Sequence, residues 1–97
     1  MPASPEIPQA FFDRADAVIA LANRQVGQGQ PRGDVSASTL YAAARFNAFT
    51  TAAAHRSAEG LAADKAEALE YFTAQYRAML EEHLDDYVAN FERYVQA

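Results

Sequence analysis

The densest set of side chains that could do chemistry lies in residues 81–86, Glu-Glu-His-Leu-Asp-Asp. Carboxylates and an imidazole on one helical turn are suitable ligands for a divalent cation. On a helix, Glu81 faces Asp85 and Glu82 faces Asp86, and like charges at this spacing cost roughly a few tenths of a kcal/mol per pair. This acidic turn matches no known cation-binding loop, so we interpret it as a surface that pairs with solvent and with arginines.

The two histidines complete no recognised metal-binding or catalytic motif. Di-iron bundles place Glu three residues before His, whereas Ala52 precedes His55 and Leu80 precedes His83 at that spacing. His55 lies four residues before Glu59, a spacing typical of a solvated pair or of a histidine at a helix C-terminus. Cysteine is absent, which excludes disulfides, thiolate-bound zinc and thiol nucleophiles. We therefore predict a protein that is not an enzyme and has no cofactor.

Arg45 and Asn47 interrupt an otherwise apolar segment, Tyr-Ala-Ala-Ala-Arg-Phe-Asn-Ala-Phe at residues 41–49. A buried guanidinium needs a carboxylate, and Glu81 and Asp85 are candidates for that role. We predict that these four residues form a buried polar network that fixes the register of the helices. The alternative is that Arg45 and the acidic turn together bind a small ligand or a divalent metal.

Charge restricts the classes of partner. The net charge of −5 and the pI near 4.8 argue against nucleic acid and against anionic membranes, because phosphate binding needs clustered cations. All of the acidic excess lies in residues 61–97. The N-terminus lacks the cationic flank and apolar core of a signal peptide, and the longest apolar run, residues 17–22, is far shorter than the roughly 20 residues of a membrane span. A cytoplasmic protein is therefore expected.

The elements that position these residues are helices, because the apolar spacing is helical almost throughout. The first helix should begin at Pro8 and end where three glycines and a proline occupy residues 27–33. Asp34 or Ser36 is expected to cap the second helix, and Ser57 the third. The sequence predicts a single all-α domain over residues 1–97, with a disordered N-terminus at 1–7 and three helices at about 8–27, 35–56 and 58–95.

The third predicted helix is too long for a compact domain of this size. A helix over residues 58–95 would span well over 50 Å at ~1.5 Å per residue. A compact domain formed by the whole chain is about 32 Å across. Either the helix breaks near His83–Asp86, or its aromatic end projects and is buried by another chain, as exposed apolar patches usually are. We predict a homodimer in which the long helices complete a bundle. The predicted interface is Tyr87, Phe91, Tyr94 and Val95. All but Tyr94 belong to an apolar stripe of eight residues, which begins with Leu69, Phe72, Tyr76, Leu80 and Leu84.

Residues 41–49 and 71–87, the latter reading Tyr-Phe-Thr-Ala-Gln-Tyr-Arg-Ala-Met-Leu-Glu-Glu-His-Leu-Asp-Asp-Tyr, are long ordered strings. Together with residues 16–23 they resemble the signature segments of a small bacterial family of uncharacterised proteins, a domain of unknown function. The resemblance extends from about Phe11 to Tyr94. It implies a stand-alone bacterial protein of about this length, and it brings no activity, cofactor or catalytic residue.

These patterns together predict a small, non-enzymatic helical module for interaction or assembly. Its expected partner is a second copy of itself, with an unidentified protein as a further candidate. The competing prediction, a binder of a small ligand or a divalent metal, depends on the acidic turn at residues 81–86 and on Arg45.

Overall fold

A computed structural model of the protein describes residues 7–95. The element order is α1 (Gln9–Gly27), α2 (Arg32–Ala53), α3 (Ala58–Ala89) and the short α4 (Phe91–Tyr94). The predicted all-α class, with three main helices and a long C-terminal helix, is confirmed. The predicted disorder of residues 1–7 falls mainly on residues 1–6, which lie outside the described residues.

The backbone divides into two units, Met1–Phe49 and Thr50–Ala97, which we call the N-terminal unit and the C-terminal unit. The N-terminal unit contains α1 and most of α2. The C-terminal unit contains the last turn of α2 together with α3 and α4.

Helix α1 begins one residue after the predicted start. The Phe11 N–H donates to the Pro8 carbonyl at 3.0 Å, so Pro8 occupies the capping position and Gln9 opens the helix. After Gly27, the Gln28 N–H donates to the Arg24 carbonyl at 3.0 Å and closes the last turn. Gly29 then adopts a positive φ of 97°, a conformation that other residues rarely adopt, so the predicted turn depends on this glycine.

Helix α2 begins earlier than predicted, and the proposed caps are wrong. The Val35 N–H donates to the Pro31 carbonyl at 3.1 Å, so the helix starts at Arg32 and both Asp34 and Ser36 lie inside it. Asp34 lies in the first turn, where a carboxylate interacts favourably with the helix dipole instead of capping the end. The helix also ends at Ala53, before the predicted end at residue 56.

Helix α3 begins where predicted and ends earlier. Ser57 caps it, because its Oγ accepts a hydrogen bond from the Gly60 N–H at 3.0 Å. The helix continues without interruption through residues 83–86, so of the two alternatives for this long helix, a break at those residues is wrong. It ends instead at Ala89, and Asn90 (φ −127°, ψ 36°) separates it from α4. With 32 residues, α3 is about 48 Å long.

Little of this chain is buried. Val35, which is 5% exposed, is the one buried side chain within residues 7–95. In the C-terminal unit, side chains around the α2–α3 connection are half-buried, among them His55, Leu61, Asp64 and Phe72. None of the helices within residues 7–95 combines the length and the apolar character that a membrane crossing requires.

Candidate functional site

A single carboxylate organises the junction between α3 and α4. Oδ1 of Asp86 accepts a hydrogen bond from Nδ2 of Asn90 at 2.8 Å, and the Asp86 carbonyl accepts one from the Asn90 backbone N–H at 2.9 Å. The Tyr94 hydroxyl also donates to the Asp86 side chain. Asp86 therefore holds both the residue that ends α3 and the last residue of α4.

The Asp86 carboxylate also changes the acidity of Tyr94. The hydrogen bond with Asp86 is the largest cause of a pKa of Tyr94 that lies above its ordinary value of 10.0, and the negative charge of Asp86 is the second. Both effects favour the neutral phenol, because ionised Tyr94 would lose its donor proton and face a like charge. The positive charge of Arg93 acts in the opposite direction and is outweighed.

The predicted aromatic interface is brought together at this junction. The rings of Tyr87 and Tyr94 meet edge to face, with centroids 4.9 Å apart and planes at 80°, a favourable geometry for aromatic pairs. The Arg93 guanidinium lies 5.9 Å from the centroid of the Tyr94 ring. Phe91 on α4 and Val95 just after it are also exposed. We call Tyr87, Phe91, Tyr94 and Val95, which are all accessible, the aromatic patch, and its role as an interface stays a prediction.

The same patch continues along α3 as an exposed apolar face. Seven of the eight residues of the predicted stripe are between 42% and 60% exposed, and the eighth, Phe72, is half-buried. Because the helix is unbroken from Ala58 to Ala89, the stripe residues from Leu69 to Tyr87 share one continuous helical face, whereas Phe91 and Val95 follow the break at Asn90. We call this surface the α3 stripe: Leu69, Phe72, Tyr76, Leu80, Leu84, Tyr87, Phe91 and Val95.

The acidic turn at residues 81–86 is exposed on α3. Among residues 7–95, no three His, Asp or Glu side chains come together in a way that could hold a metal ion. Asp86 is engaged by Asn90 and Tyr94, an assignment that sequence spacing missed because it paired Asp86 with Glu82. This geometry gives the metal-binding alternative no support from the described residues.

The predicted polar network is divided between the two units. Arg45 is exposed and Asn47 is half-buried in the N-terminal unit, whereas Glu81 and Asp85 are exposed in the C-terminal unit. Proximity of these four residues stays a prediction. Their individual positions show that Arg45 is accessible on the surface of α2.

His55 has a partner that the sequence analysis did not identify. Its Nδ1 lies 2.9 Å from the Thr51 carbonyl, in the last turn of α2, and its Nε2 lies 3.1 Å from Oδ2 of Asp64 on α3. Both ring nitrogens face oxygen acceptors, so only the doubly protonated imidazolium can donate to both. His55 thus connects the end of α2 to the beginning of α3. The expected contact with a helix C-terminus is present, whereas Glu59 is not the carboxylate in this pair.

A groove in the N-terminal unit is the second surface feature. Four residues of α1 and six of α2 line an open groove of about 570 Å³, and none of the ten is charged. Its large apolar members are Val18 and Leu21 of α1 and Phe46 of α2, and its small ones include Ala42 and Ala43 of α2. Two sequence features relate to this groove: the apolar stripe of the first helix and the alanines around the second. They indicate close packing of helices, and they do not predict a groove.

Comparison with protein families gives one clear assignment. Residues 11–88 match the model of a family described as "Protein of unknown function (DUF3144)". Comparison with curated proteins gave no match.

Among solved structures, the chain is similar to the NMR structure of the protein NB7890A from Shewanella sp.. The two are 37% identical, the match covers 91% of this chain and 93% of that one, and the TM-score is 0.73. This likeness supports the all-α fold, and the family match supports the resemblance seen in the signature segments. The chain belongs to the DUF3144 family of proteins of unknown function.

Proposed function

We propose that this protein is a non-enzymatic assembly module that forms a homodimer through the α3 stripe. The proposal rests on the exposure of this stripe. Among residues 7–95 the one buried side chain is Val35, so the stripe is not covered by a core of its own chain. Apolar side chains aligned on one helical face gain free energy when a second surface removes them from water.

The area of the α3 stripe fits a stable interface. Aromatic side chains each bury roughly 150–250 Å² when fully covered, and Leu and Val bury less. Because the stripe residues are roughly half exposed, covering all eight would remove about 700 Å² per chain from water. A standard interface buries about 800 Å² per partner, so the stripe and its flanking residues suffice for a dimer.

The aromatic patch at the α3–α4 junction supplies the anchors of this proposed interface. Tyr is among the residues that most often dominate binding energy in interfaces. The Tyr87–Tyr94 pair and the hydrogen bond from Tyr94 to Asp86 fix the patch before binding, so little side-chain entropy remains to be lost when a second copy binds.

Charge opposes this dimer and gives it a distinctive salt dependence. Residues 50–95 carry nine acids and four bases, so two C-terminal units repel each other. Salt screens such repulsion over a Debye length of about 10 Å at 0.1 M. We therefore expect dimerisation through the α3 stripe to become tighter as sodium chloride rises from low to moderate concentration.

The test is the absolute mass in solution, from light scattering after size exclusion over a concentration series. The parent should approach about 21 kDa, twice the 10.6 kDa of one chain. The double variant Phe91→Glu/Tyr94→Glu should return the mass to that of one chain while α1 and α2 stay helical. The single variant Leu84→Glu should do the same without disturbing α4.

A matched control adds the same charge to the opposite face of α3. Ala74 and Ala78 are exposed and lie about 160° around the helix from the middle of the stripe, at 100° per residue. The variant Ala74→Glu/Ala78→Glu should dimerise almost as the parent does. A parent that remains a single chain at every concentration contradicts the proposal, as does a Leu84→Glu variant with the parent's mass.

A further inference from the structure

The His55 ring is held on several sides at the connection between α2 and α3. Its Nδ1 lies 2.9 Å from the Thr51 carbonyl of α2, and its Nε2 lies 3.1 Å from Oδ2 of Asp64 on α3. Gly60 lies beside the ring as well, because a β-carbon added there would stand 3.7 Å from Cδ2 of His55. The His55 side chain is 21% exposed, so both helices shield it from water. We call His55 with its two acceptors, Thr51 and Asp64, the His55 link.

We infer that the His55 link is a pH-sensitive switch, which holds the connection between α2 and α3 closed while the imidazole is charged and loosens it when the imidazole is neutral. All of its contacts lie within residues 51–64. The inference therefore does not depend on the proposed dimer.

The first argument is the hydrogen-bonding capacity of the ring. The charged imidazolium has two N–H donors, one for each of the two oxygens. Neutral imidazole has one donor, so the lone pair of its other nitrogen faces either the Thr51 carbonyl or the Asp64 carboxylate. Two lone pairs repel each other in either tautomer. Loss of the proton therefore breaks one of the two bonds that join the helices through this ring.

The second argument is the balance of charge around the ring. The last turn of α2, residues 50–53, contains no charged residue. The connection contributes Arg56, and the first two turns of α3 contribute Glu59, Asp64 and Lys65, so the charges of these segments cancel in number. Asp64 contacts the ring directly, and its attraction is present only while the ring is charged. The two bonds of the His55 link therefore distinguish the two states.

The third argument is the pH range in which the switch acts. Histidine is the side chain that ordinarily changes charge between pH 5 and 8, and the chain contains two, His55 and His83. Carboxylates, lysine and arginine ordinarily keep their charges between pH 5.5 and 7.5. His83 is exposed on α3, far along the helix from the connection. A change at the connection over this range therefore reports on His55.

The test is hydrogen exchange measured by NMR at pH 5.5 and 7.5, with each rate divided by the rate of the unfolded chain at the same pH. The probes are the backbone amides of residues 55 and 61, which donate to the Ala52 and Ser57 carbonyls at 3.0 and 3.1 Å. Protection of both amides should be about two- to fivefold greater at pH 5.5 than at pH 7.5. The change is small because Asp64 is 44% exposed and solvent weakens its attraction for the ring.

Three variants assign this change to its source. His55→Gln keeps an amide donor but cannot change charge, so protection should be equal at the two pH values. Asp64→Asn should also remove most of the difference, because an amide can turn to donate to a neutral ring nitrogen or to accept from a charged one. His83→Gln is the matched control, which removes the other histidine and should keep the full difference.

The inference is overturned by equal protection of both amides in the parent at pH 5.5 and 7.5. This outcome needs no variant, so a substitution that disturbs folding cannot hide it. A difference that persists in His55→Gln also overturns the inference, as does one that disappears in His83→Gln, because the sensitive ring is then not His55.

Discussion

Asp86 and Asn90 are joined where α3 ends, with the Asn90 amide donating to Oδ1 of Asp86 at 2.8 Å and the Asn90 N–H donating to the Asp86 carbonyl at 2.9 Å. The same carboxylate accepts the hydroxyl of Tyr94. One side chain therefore fixes the end of a 32-residue helix and the direction in which the aromatic patch leaves it. This dependence on Asp86 can be tested directly.

Asp86→Ala should loosen α4 while leaving α3 helical. The substitution removes the acceptor shared by Asn90 and Tyr94, so amide hydrogens of residues 91–95 should exchange faster with solvent. Hydrogen exchange followed by NMR measures this change residue by residue. The control is Asp85→Ala, which removes a neighbouring exposed carboxylate and should leave exchange in α4 almost unchanged. Equal exchange in the two variants would show that Asp86 does not hold α4.

Asp86→Asn should lower the pKa of Tyr94 toward its ordinary value, because it removes the charge and the strongest acceptor that raise it. An ultraviolet or NMR titration of the tyrosines measures the shift. The folded pKa of Tyr94 lies above the unfolded one, so its contribution to stability is complete below the unfolded value near 10.0 and is lost as pH rises through the folded value. In the parent, α4 should therefore loosen only in strongly alkaline solution.

Ser57→Ala should destabilise the protein by about 1 kcal/mol, the usual cost of losing an N-cap side chain. The lost contact is the hydrogen bond from the Gly60 N–H to Oγ of Ser57. The midpoint of urea unfolding measures the change, and Ser57→Asp should restore most of it. Ser36→Ala is the comparison, because Ser36 lies inside α2 and Ala is the better helix former. A larger loss for Ser36→Ala would mean that Ser36 caps the helix after all.

The sequence predicted those features that depend on residue type at a fixed spacing. Ser57 was identified as a cap because a short side-chain oxygen three residues before an N–H is the usual arrangement. The start of α2 is predicted too late because no capping side chain marks it. Pro31 accepts the first hydrogen bond through its backbone carbonyl, and Gly33 is a residue typical of loops. Periodicity also does not predict the break at Asn90, because the apolar spacing continues past this residue to Phe91 and Val95.

Residue spacing also cannot predict contacts between side chains on either side of a turn. The four-residue spacing indicates Glu59 as a solvated partner of His55 near a helix end, or a contact of His55 with the helix C-terminus. The chain leaves the helix after Ala53 and re-enters one at Ala58, which brings Asp64, nine residues away, to the imidazole instead. The aromatic patch could be listed from sequence because its members follow one helical stripe, whereas the groove needs the relative placement of two helices.

Asp64→Ala should weaken the connection between α2 and α3 by less than about 1 kcal/mol, because the side chain of Asp64 is 44% exposed and solvent screens its attraction for His55. The urea midpoint gives the free energy of unfolding, and NMR of the His55 ring nitrogens reports whether Nδ1 keeps its hydrogen bond to the Thr51 carbonyl. Glu59→Gln removes the carboxylate that lies four residues after His55. It should leave the His55 ring nitrogens unchanged, and it should cost about 0.3–1 kcal/mol because Glu59 lies in the first turn of α3 and interacts favourably with the helix dipole. If Glu59→Gln changes the signals of the His55 ring nitrogens and Asp64→Ala does not, the pair that spacing suggested is the one that forms, and the Asp64 contact contributes little to the junction of the two helices.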